Sequence, residues 1–144
     1  AQGDTYGAQM RAFAVALGDE AIADVARFLS SLPFPSERHV SPQASPPEAA
    51  LGSAALEQGG KDYQGRCGAC HGGKGQGNAA LRAPNIAMLD TAYFKRQYEH
   101  FQNGARGMAE GDVPGMQMRM MSKTLAADAA LDRVIAYLHS IAKP

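Results

Sequence analysis

The chain has 144 residues, of which 45% are hydrophobic and 19% are charged, so it is long enough to bury one globular core. Its 14 basic and 14 acidic residues cancel at pH 7, and this balance gives no indication of nucleic-acid or anionic-membrane binding. No run of 18 apolar residues predicts a transmembrane helix, and no charged-then-apolar leader opens the chain, so we expect a soluble protein.

Frequent alanine and the near absence of alternating β-branched and aromatic residues predict an all-α fold. Helical periodicity predicts four helices, at 19–32, 48–65, 91–103 and 127–141. Asp19 is the predicted N-cap of the first helix. Gly52 and Gly59-Gly60 are expected to interrupt the second helix, and Gly104 to end the third.

Five of the eight prolines lie between Pro33 and Pro47, in the sequence PFPSERHVSPQASPP. Proline at this density is incompatible with a helix and predicts an extended linker. The chain is therefore predicted to consist of a helical segment at 1–32, a proline-rich linker at 33–47 and a main domain at 48–144.

The first segment and the end of the main domain share an internal repeat. GAQMRAFAVAL at 7–17 aligns without a gap with GMQMRMMSKTL at 115–125. One inserted residue then aligns Val25 with Val134 and the helices around them. The shared G-x-Q-M-R ahead of each helix favours duplication over a chance likeness of two Leu/Ala-rich helices.

The two cysteines of the chain lie in CGACH, from Cys67 to His71. C-x-x-C-H is the attachment signature of c-type haem, because two thiols at this spacing reach one porphyrin edge and the adjacent histidine turns onto the iron. A structural zinc site is disfavoured because it needs about four ligands and the chain has no second cysteine pair. A thioredoxin-like dithiol is disfavoured because it is expected in a βαβ unit, and this sequence predicts no strands. A plain disulfide does not require the histidine. The motif predicts one haem c, covalently bound through Cys67 and Cys70, with His71 as an axial ligand.

The residues after this motif suit a haem pocket. GGKGQG at 72–77 permits a tight backbone turn against the haem edge. Pro84 follows, and its carbonyl can accept a hydrogen bond from the free ring nitrogen of His71.

In this order the motifs resemble the class I cytochromes c, most closely one domain of the tandem two-haem bacterial type. Gly60 and Tyr63 resemble the N-terminal helix of that family, and Tyr137 and Leu138 resemble its C-terminal helix. YFKRQYEHFQNGARG resembles the middle helix of the tandem type. The resemblance implies that Arg106, at the end of this stretch, contributes to cofactor binding.

The resemblance also implies a methionine as sixth ligand, shortly before the last helix, where thioether ligation raises the reduction potential. Four of the seven methionines lie in GMQMRMM at 115–121. A family spacing of seven residues before Leu125 selects Met118, whereas a spacing of five selects Met120. The repeat favours Met118, because it aligns with Met10, and Met120 stays the rival. The other histidines are expected to be solvated or hydrogen-bonded locally: His39, His100 and His139.

An enclosed six-coordinate haem has no open iron position for a substrate. The expected function is therefore single-electron transfer with redox partner proteins. Thioether attachment in bacteria follows export, so the periplasm is the expected location. Two alternatives stay open: a haem-bearing, electron-accepting subunit or domain of a larger dehydrogenase, and a five-coordinate haem enzyme or small-ligand sensor.

Residues 7–32 resemble the C-terminal half of a second cytochrome domain, with Met10 at the ligand position but no second C-x-x-C-H in the chain. They are expected to be either a remnant of a tandem two-haem protein or a helical extension docked on the haem domain. Self-association through residues 1–32 to form a homodimer is one way to cover the apolar stripe of this segment. The stripe consists of Ile22, Val25, Leu29 and Leu32.

Overall fold

The computed structural model describes residues 4–32, 51–125 and 128–142. Within these ranges the chain forms seven α-helices and one 3₁₀ turn, and strand pairing is limited to an isolated bridge between Asn78 and Ala83. The all-α prediction is therefore confirmed, while the predicted linker at 33–47 lies outside the described residues. The helices are α1 (Thr5–Ala14), α2 (Asp19–Ser31), α3 (Ser53–Arg66), α4 (Gly68–His71), α5 (Thr91–Gln102), α6 (Val113–Ser122) and α7 (Asp128–Ile141).

The chain divides into two compact units, Ala1–His39 and Val40–Pro144. The first unit contains α1 and α2, neither of which has a buried residue. The second unit contains the other five described helices and the hydrophobic core. None of the helices in the described part of the chain combines the length and apolar character needed to cross a membrane.

The core of the second unit lies where α7 packs against α3 and α5. Its largest fully buried apolar side chains are Tyr63, Val134, Ile135 and Leu138. Phe94 and Tyr98 of α5, Ile86, Leu125, Ala130 and Leu131 complete the cluster. Burial of these side chains is the main contribution to the stability of this unit.

Helix α3 runs without interruption through Gly59 and Gly60, where a break was predicted. The difference arises from close packing of α3 on α7. A Cβ on Gly59 would overlap the backbone oxygen of Arg133, and a Cβ on Gly60 would lie 2.9 Å from the Tyr137 ring. Glycine costs about 1 kcal/mol in an isolated helix, but here it allows the two helices to cross.

The remaining predicted helices form with small shifts at their ends. In α2, Gly18 is the N-cap, and Asp19 is the first helical residue, where its negative charge interacts favourably with the helix dipole. In α5, the Asp90 side chain accepts a hydrogen bond from Tyr93 N (3.0 Å). The chain leaves this helix at Asn103 and Gly104, the latter with φ +80°.

The methionine run lies inside a helix that is not predicted from the sequence. Asp112 is the N-cap of α6, and its side chain accepts a hydrogen bond from Gly115 N (2.9 Å). Pro114 lies in the first turn, where its missing N–H has no intrahelical partner to lose. Asp112 and Pro114 were thus available start signals for α6.

Candidate haem-binding site

The C-x-x-C-H motif occupies the junction of α3 and α4. Cys67 is the C-cap of α3, and its N–H donates to Tyr63 O (2.7 Å). The next turn closes when His71 N donates to Cys67 O (2.9 Å). Both thiols are free; Cys67 is half-buried against the core cluster, and Cys70 is exposed. The thiols and the imidazole therefore lie on one short helical turn at the end of α3.

The imidazole of His71 is buried and held in one orientation. It is 8% exposed, and its Nδ1 lies 2.9 Å from the Pro84 carbonyl oxygen. A carbonyl oxygen only accepts, so Nδ1 carries the proton and donates it to this bond. Nε2 is therefore the ring nitrogen that is left to bind iron.

Gly77 brings the segment of Pro84 next to His71. Its N–H donates to His71 O (2.8 Å), and its φ is +87°. A Cβ at Gly77 would lie 2.7 Å from Asn85 N and 2.9 Å from the Pro84 carbonyl carbon. The backbone after the motif can therefore approach Pro84 only with glycine at this position.

Tyr63 ties α3 to the turn that follows the motif. It is fully buried, its hydroxyl donates to Gly72 O, and its ring centroid lies 5.9 Å from that of Tyr137. Burial, with a smaller contribution from a nearby Cys67 thiolate, raises the pKa of Tyr63 to about 12. Tyr63 therefore remains a neutral hydrogen-bond donor at physiological pH.

Burial also raises the pKa of the Cys67 thiol, to about 11. Desolvation disfavours the thiolate and outweighs the nearby Arg66 guanidinium. Cys67 is therefore a protonated thiol at neutral pH in the absence of a bond to another group.

Among the four methionines of the run, Met118 packs against the core cluster. It is half-buried, and it shares this contact with Cys67. The other three are more exposed: 47% for Met116, 66% for Met120 and 40% for Met121. The structure therefore brings one thioether of the run to the same apolar cluster as the first cysteine.

Arg106 lies at the end of the α5 segment. Its Nη1 donates to Gln97 Oε1 (2.7 Å), and its guanidinium lies 4.5 Å from the centroid of the Phe101 ring. These contacts fold the loop after α5 back onto the helix. A contact of Arg106 with the cofactor stays a prediction.

Two of the other histidines are buried rather than solvated. His139 Nε2 lies 3.0 Å from Leu89 O, whereas the Nδ1 atoms of His139 and His100 are both buried without a hydrogen-bond partner. Arg119 Nε, in the residue next to Met118, is another buried atom of this kind in the described part of the chain. His39 lies outside the described residues. Unpartnered buried polar atoms are costly, and an anionic group such as a haem carboxylate would satisfy them.

The residues present fit a haem: two free thiols on one turn, a buried imidazole with one ring nitrogen already bonded, and a thioether against the same core. These features on an all-α scaffold define a protein that binds haem covalently. The family model for Cytochrome c matches residues 56–142, more than half of the chain, and the chain therefore belongs to the Cytochrome c family. Comparisons with curated proteins and with solved structures found no match.

Family membership establishes the cofactor and the broad role. The protein is a class I c-type cytochrome that binds haem c covalently through Cys67 and Cys70, and it serves haem-based electron transport. Gly77, which sets the approach to Pro84, was not singled out from the sequence. The glycine-rich run at 72–77 was the available signal.

The raised pKa of Tyr63 predicts a loss of stability at alkaline pH. In the unfolded chain tyrosine loses its proton near pH 10, whereas folded Tyr63 keeps it until about pH 12. The contribution of this raised pKa to the free energy of unfolding is therefore fully present below pH 10 and is lost between about pH 10 and 12. In the haem-loaded protein Cys67 has no ionisable thiol, so burial remains the main cause of the raised pKa of Tyr63, and Tyr63→Phe should still show a shallower alkaline fall of Tm in thermal unfolding. Equal slopes in both proteins would contradict the assignment; Tyr98, whose pKa burial also raises to about 12, accounts for part of the slope in both.

Proposed function

We propose that the protein is a periplasmic carrier of single electrons in which His71 and Met118 are the axial ligands of the haem iron. Its membership of the Cytochrome c family supports haem-based electron transfer. The observation that carries the axial assignment is the 2.9 Å contact between His71 Nδ1 and the Pro84 carbonyl oxygen. When bound, the haem supplies the one-electron couple of its iron.

The chain holds His71 in place before and after an electron is transferred. Its ring is buried, its Nδ1 proton is committed to Pro84, and the turn behind it is fixed by the Gly77–His71 backbone hydrogen bond. A ligand that cannot rotate reorganises little when the iron changes charge. The carbonyl of Pro84 also increases the basicity of the imidazole.

Met118 is favoured over Met120 by its surroundings as well as by its spacing. It packs against the core cluster, whereas Met120 is 66% exposed on α6. A ligating sulfur in an apolar environment, shielded from water, favours ferrous iron and raises the reduction potential relative to a second histidine.

The periplasm is proposed from the chemistry of attachment. The thioether bonds to Cys67 and Cys70 form after export in bacteria. The partners are then redox proteins of the same compartment. The same site would serve equally in a haem-bearing domain that accepts electrons within a larger dehydrogenase.

Substitution of each candidate methionine tests the axial assignment. In Met118→Ala, the weak near-infrared sulfur-to-iron absorption of the ferric protein should disappear and the reduction potential should fall. In Met120→Ala, the matched control on the same helix, both should remain at wild-type values. The reverse outcome would establish Met120 as the ligand. Rapid and complete carbon monoxide binding to the reduced wild-type protein would instead indicate an open iron site.

A further inference from the structure

Three charged side chains form a cluster at the crossing of α3 and α7: Asp62, Arg66 and Arg133. Asp62 is only 8% exposed although it is a carboxylate. Its Oδ1 accepts a hydrogen bond from Arg66 Nη1 (2.8 Å), and its Oδ2 lies 3.6 Å from Arg133 Nη2. Two guanidinium groups thus surround one carboxylate, and the cluster carries one net positive charge in a partly buried position.

Packing of the two helices does not require these charges. Gly59 and Gly60 already allow α3 and α7 to cross closely. An ion pair taken out of water is often no more stabilising than apolar side chains of similar size. Arg133 Nε is in addition buried without a hydrogen-bond partner in the described part of the chain, which adds a further cost. Stability alone therefore gives a poor account of a charged cluster at this crossing.

The electric field of the cluster reaches the first haem attachment site. Arg66 directly precedes Cys67 in the chain. Burial is the main cause of the raised pKa of the Cys67 thiol; beyond burial, the Arg66 guanidinium lowers this pKa and the Asp62 carboxylate raises it. Since the Cys67 sulfur is the atom that bonds to the haem, the same two charges act on the haem from this side.

The sign of each effect follows from the charge of the iron. Ferric haem carries one more positive charge than ferrous haem, so a nearby positive charge favours the ferrous state and a nearby negative charge favours the ferric state. Burial lowers the local dielectric constant and strengthens both effects. Charges on exposed side chains act more weakly, because water and salt screen them.

We propose that this cluster tunes the reduction potential of the haem, with the Asp62 carboxylate lowering the potential and the Arg66 guanidinium raising it. Arg133 holds the carboxylate from the side of α7. The cluster then helps to select the redox partners of the protein, because electrons pass favourably only from a lower to a higher potential. This inference does not depend on which methionine is the sixth ligand.

Substitutions that each remove one charge test the proposal in the full-length, haem-loaded protein. Asp62→Asn should shift the equilibrium constant for reduction about tenfold towards the ferrous form, and Arg66→Met about tenfold towards the ferric form, as expected for a partly buried unit charge at an effective dielectric constant of about 20. For one electron, a tenfold shift is about 59 mV in a redox titration. The double variant has the net charge of the wild type and should return to within about twofold of its value.

The exposed ion pair of α3 provides matched controls. Glu57 and Lys61 form an i,i+4 pair like that of Asp62 and Arg66, but their side chains are 69% and 66% exposed. Glu57→Gln and Lys61→Met make the same changes of charge on the same helix and should stay within about twofold of wild type. The visible and near-infrared haem absorption should be unchanged in every variant. An altered spectrum would attribute the shift to a changed ligand and count against the proposal.

Either of two results would overturn the proposal. One is a shift in Asp62→Asn and Arg66→Met that is no larger than in the exposed controls. The other is a shift of both variants in the same direction, since loosened helix packing rather than charge would then be the cause. If Asp62→Asn does not fold, Arg66→Met still decides, because Asp62 keeps Arg133 as its partner. Met118→Ala and Met120→Ala test the axial assignment through the sulfur-to-iron absorption, so the two proposals can fail separately.

Discussion

Replacement of Gly59 by alanine is expected to lower the free energy of unfolding by about 3 kcal/mol, the upper end of the usual cost of overpacking. The added methyl group would overlap the backbone oxygen of Arg133 on α7. A backbone atom inside a helix cannot rotate away as a side chain can, so α3 and α7 would have to separate. Chemical denaturation of the haem-loaded protein measures the change.

Gly65 provides the control in the same helix. A Cβ at this position meets nothing within 4 Å, so Gly65→Ala adds helix propensity without a clash. It should raise the free energy of unfolding by up to about 1 kcal/mol. Gly60→Ala should fall between the two, because the atoms it approaches belong to the Tyr137 ring. If Gly59→Ala were as stable as Gly65→Ala, the close crossing of α3 and α7 would be wrong.

The crossing matters for the haem site because α3 ends directly at the attachment motif. Cys67 is the C-cap of α3 and packs on the core cluster that α7 dominates. Tyr63 lies four residues before Cys67. Its hydroxyl donates a hydrogen bond to Gly72 O in the turn after His71, and its ring lies beside the tilted ring of Tyr137. A displacement of α3 would therefore move both the first cysteine and the turn that carries the imidazole.

The parts of the site that the sequence predicts correctly are those set by local chemistry. The spacing of Cys67, Cys70 and His71 is sufficient to predict covalent haem, and the Cytochrome c family match confirms this cofactor. A ligating imidazole needs a hydrogen-bond acceptor that orients it, and a proline carbonyl was expected to accept from His71. The carbonyl oxygen of Pro84 lies 2.9 Å from His71 Nδ1.

The features that the sequence does not predict depend on tertiary contacts. Gly59 and Gly60 predict a break in α3 when helix propensity is considered alone, and only the approach of α7 explains why the helix continues. The difference in burial between Met118 and Met120 likewise depends on how α6 lies against the core. The spacing before Leu125 and the repeat with Met10 favour Met118 from the sequence, but neither shows which of the four side chains is buried.

Replacement of Gly107 by alanine is expected to destabilise the protein by about 3 kcal/mol and to weaken the proposed ligation of the haem iron by Met118. Gly107 has φ +74°, which costs an alanine about 1–2 kcal/mol. A Cβ there would also overlap the carbonyl oxygen of Gly115 in the first turn of α6, adding an overpacking cost. The other end of α6 is held by Gln102 Nε2, which donates to Ser122 O (3.1 Å). The substitution would thus displace one end of the helix that carries Met118 while the other end stays fixed.

Gly111 separates the two costs. Its φ of +78° is nearly the same, but a Cβ there meets nothing within 4 Å, so Gly111→Ala should lose only the backbone contribution of about 1–2 kcal/mol. Denaturant midpoints report the difference in stability, and the near-infrared absorption of the ferric protein, followed with rising temperature, reports loss of the sulfur ligand. The band should disappear at a lower temperature in Gly107→Ala than in Gly111→Ala. If both variants had the same denaturant midpoint and lost the band at the same temperature, contact between Gly107 and Gly115 would not set the position of α6. The sulfur would then be held by the core packing of Met118 itself.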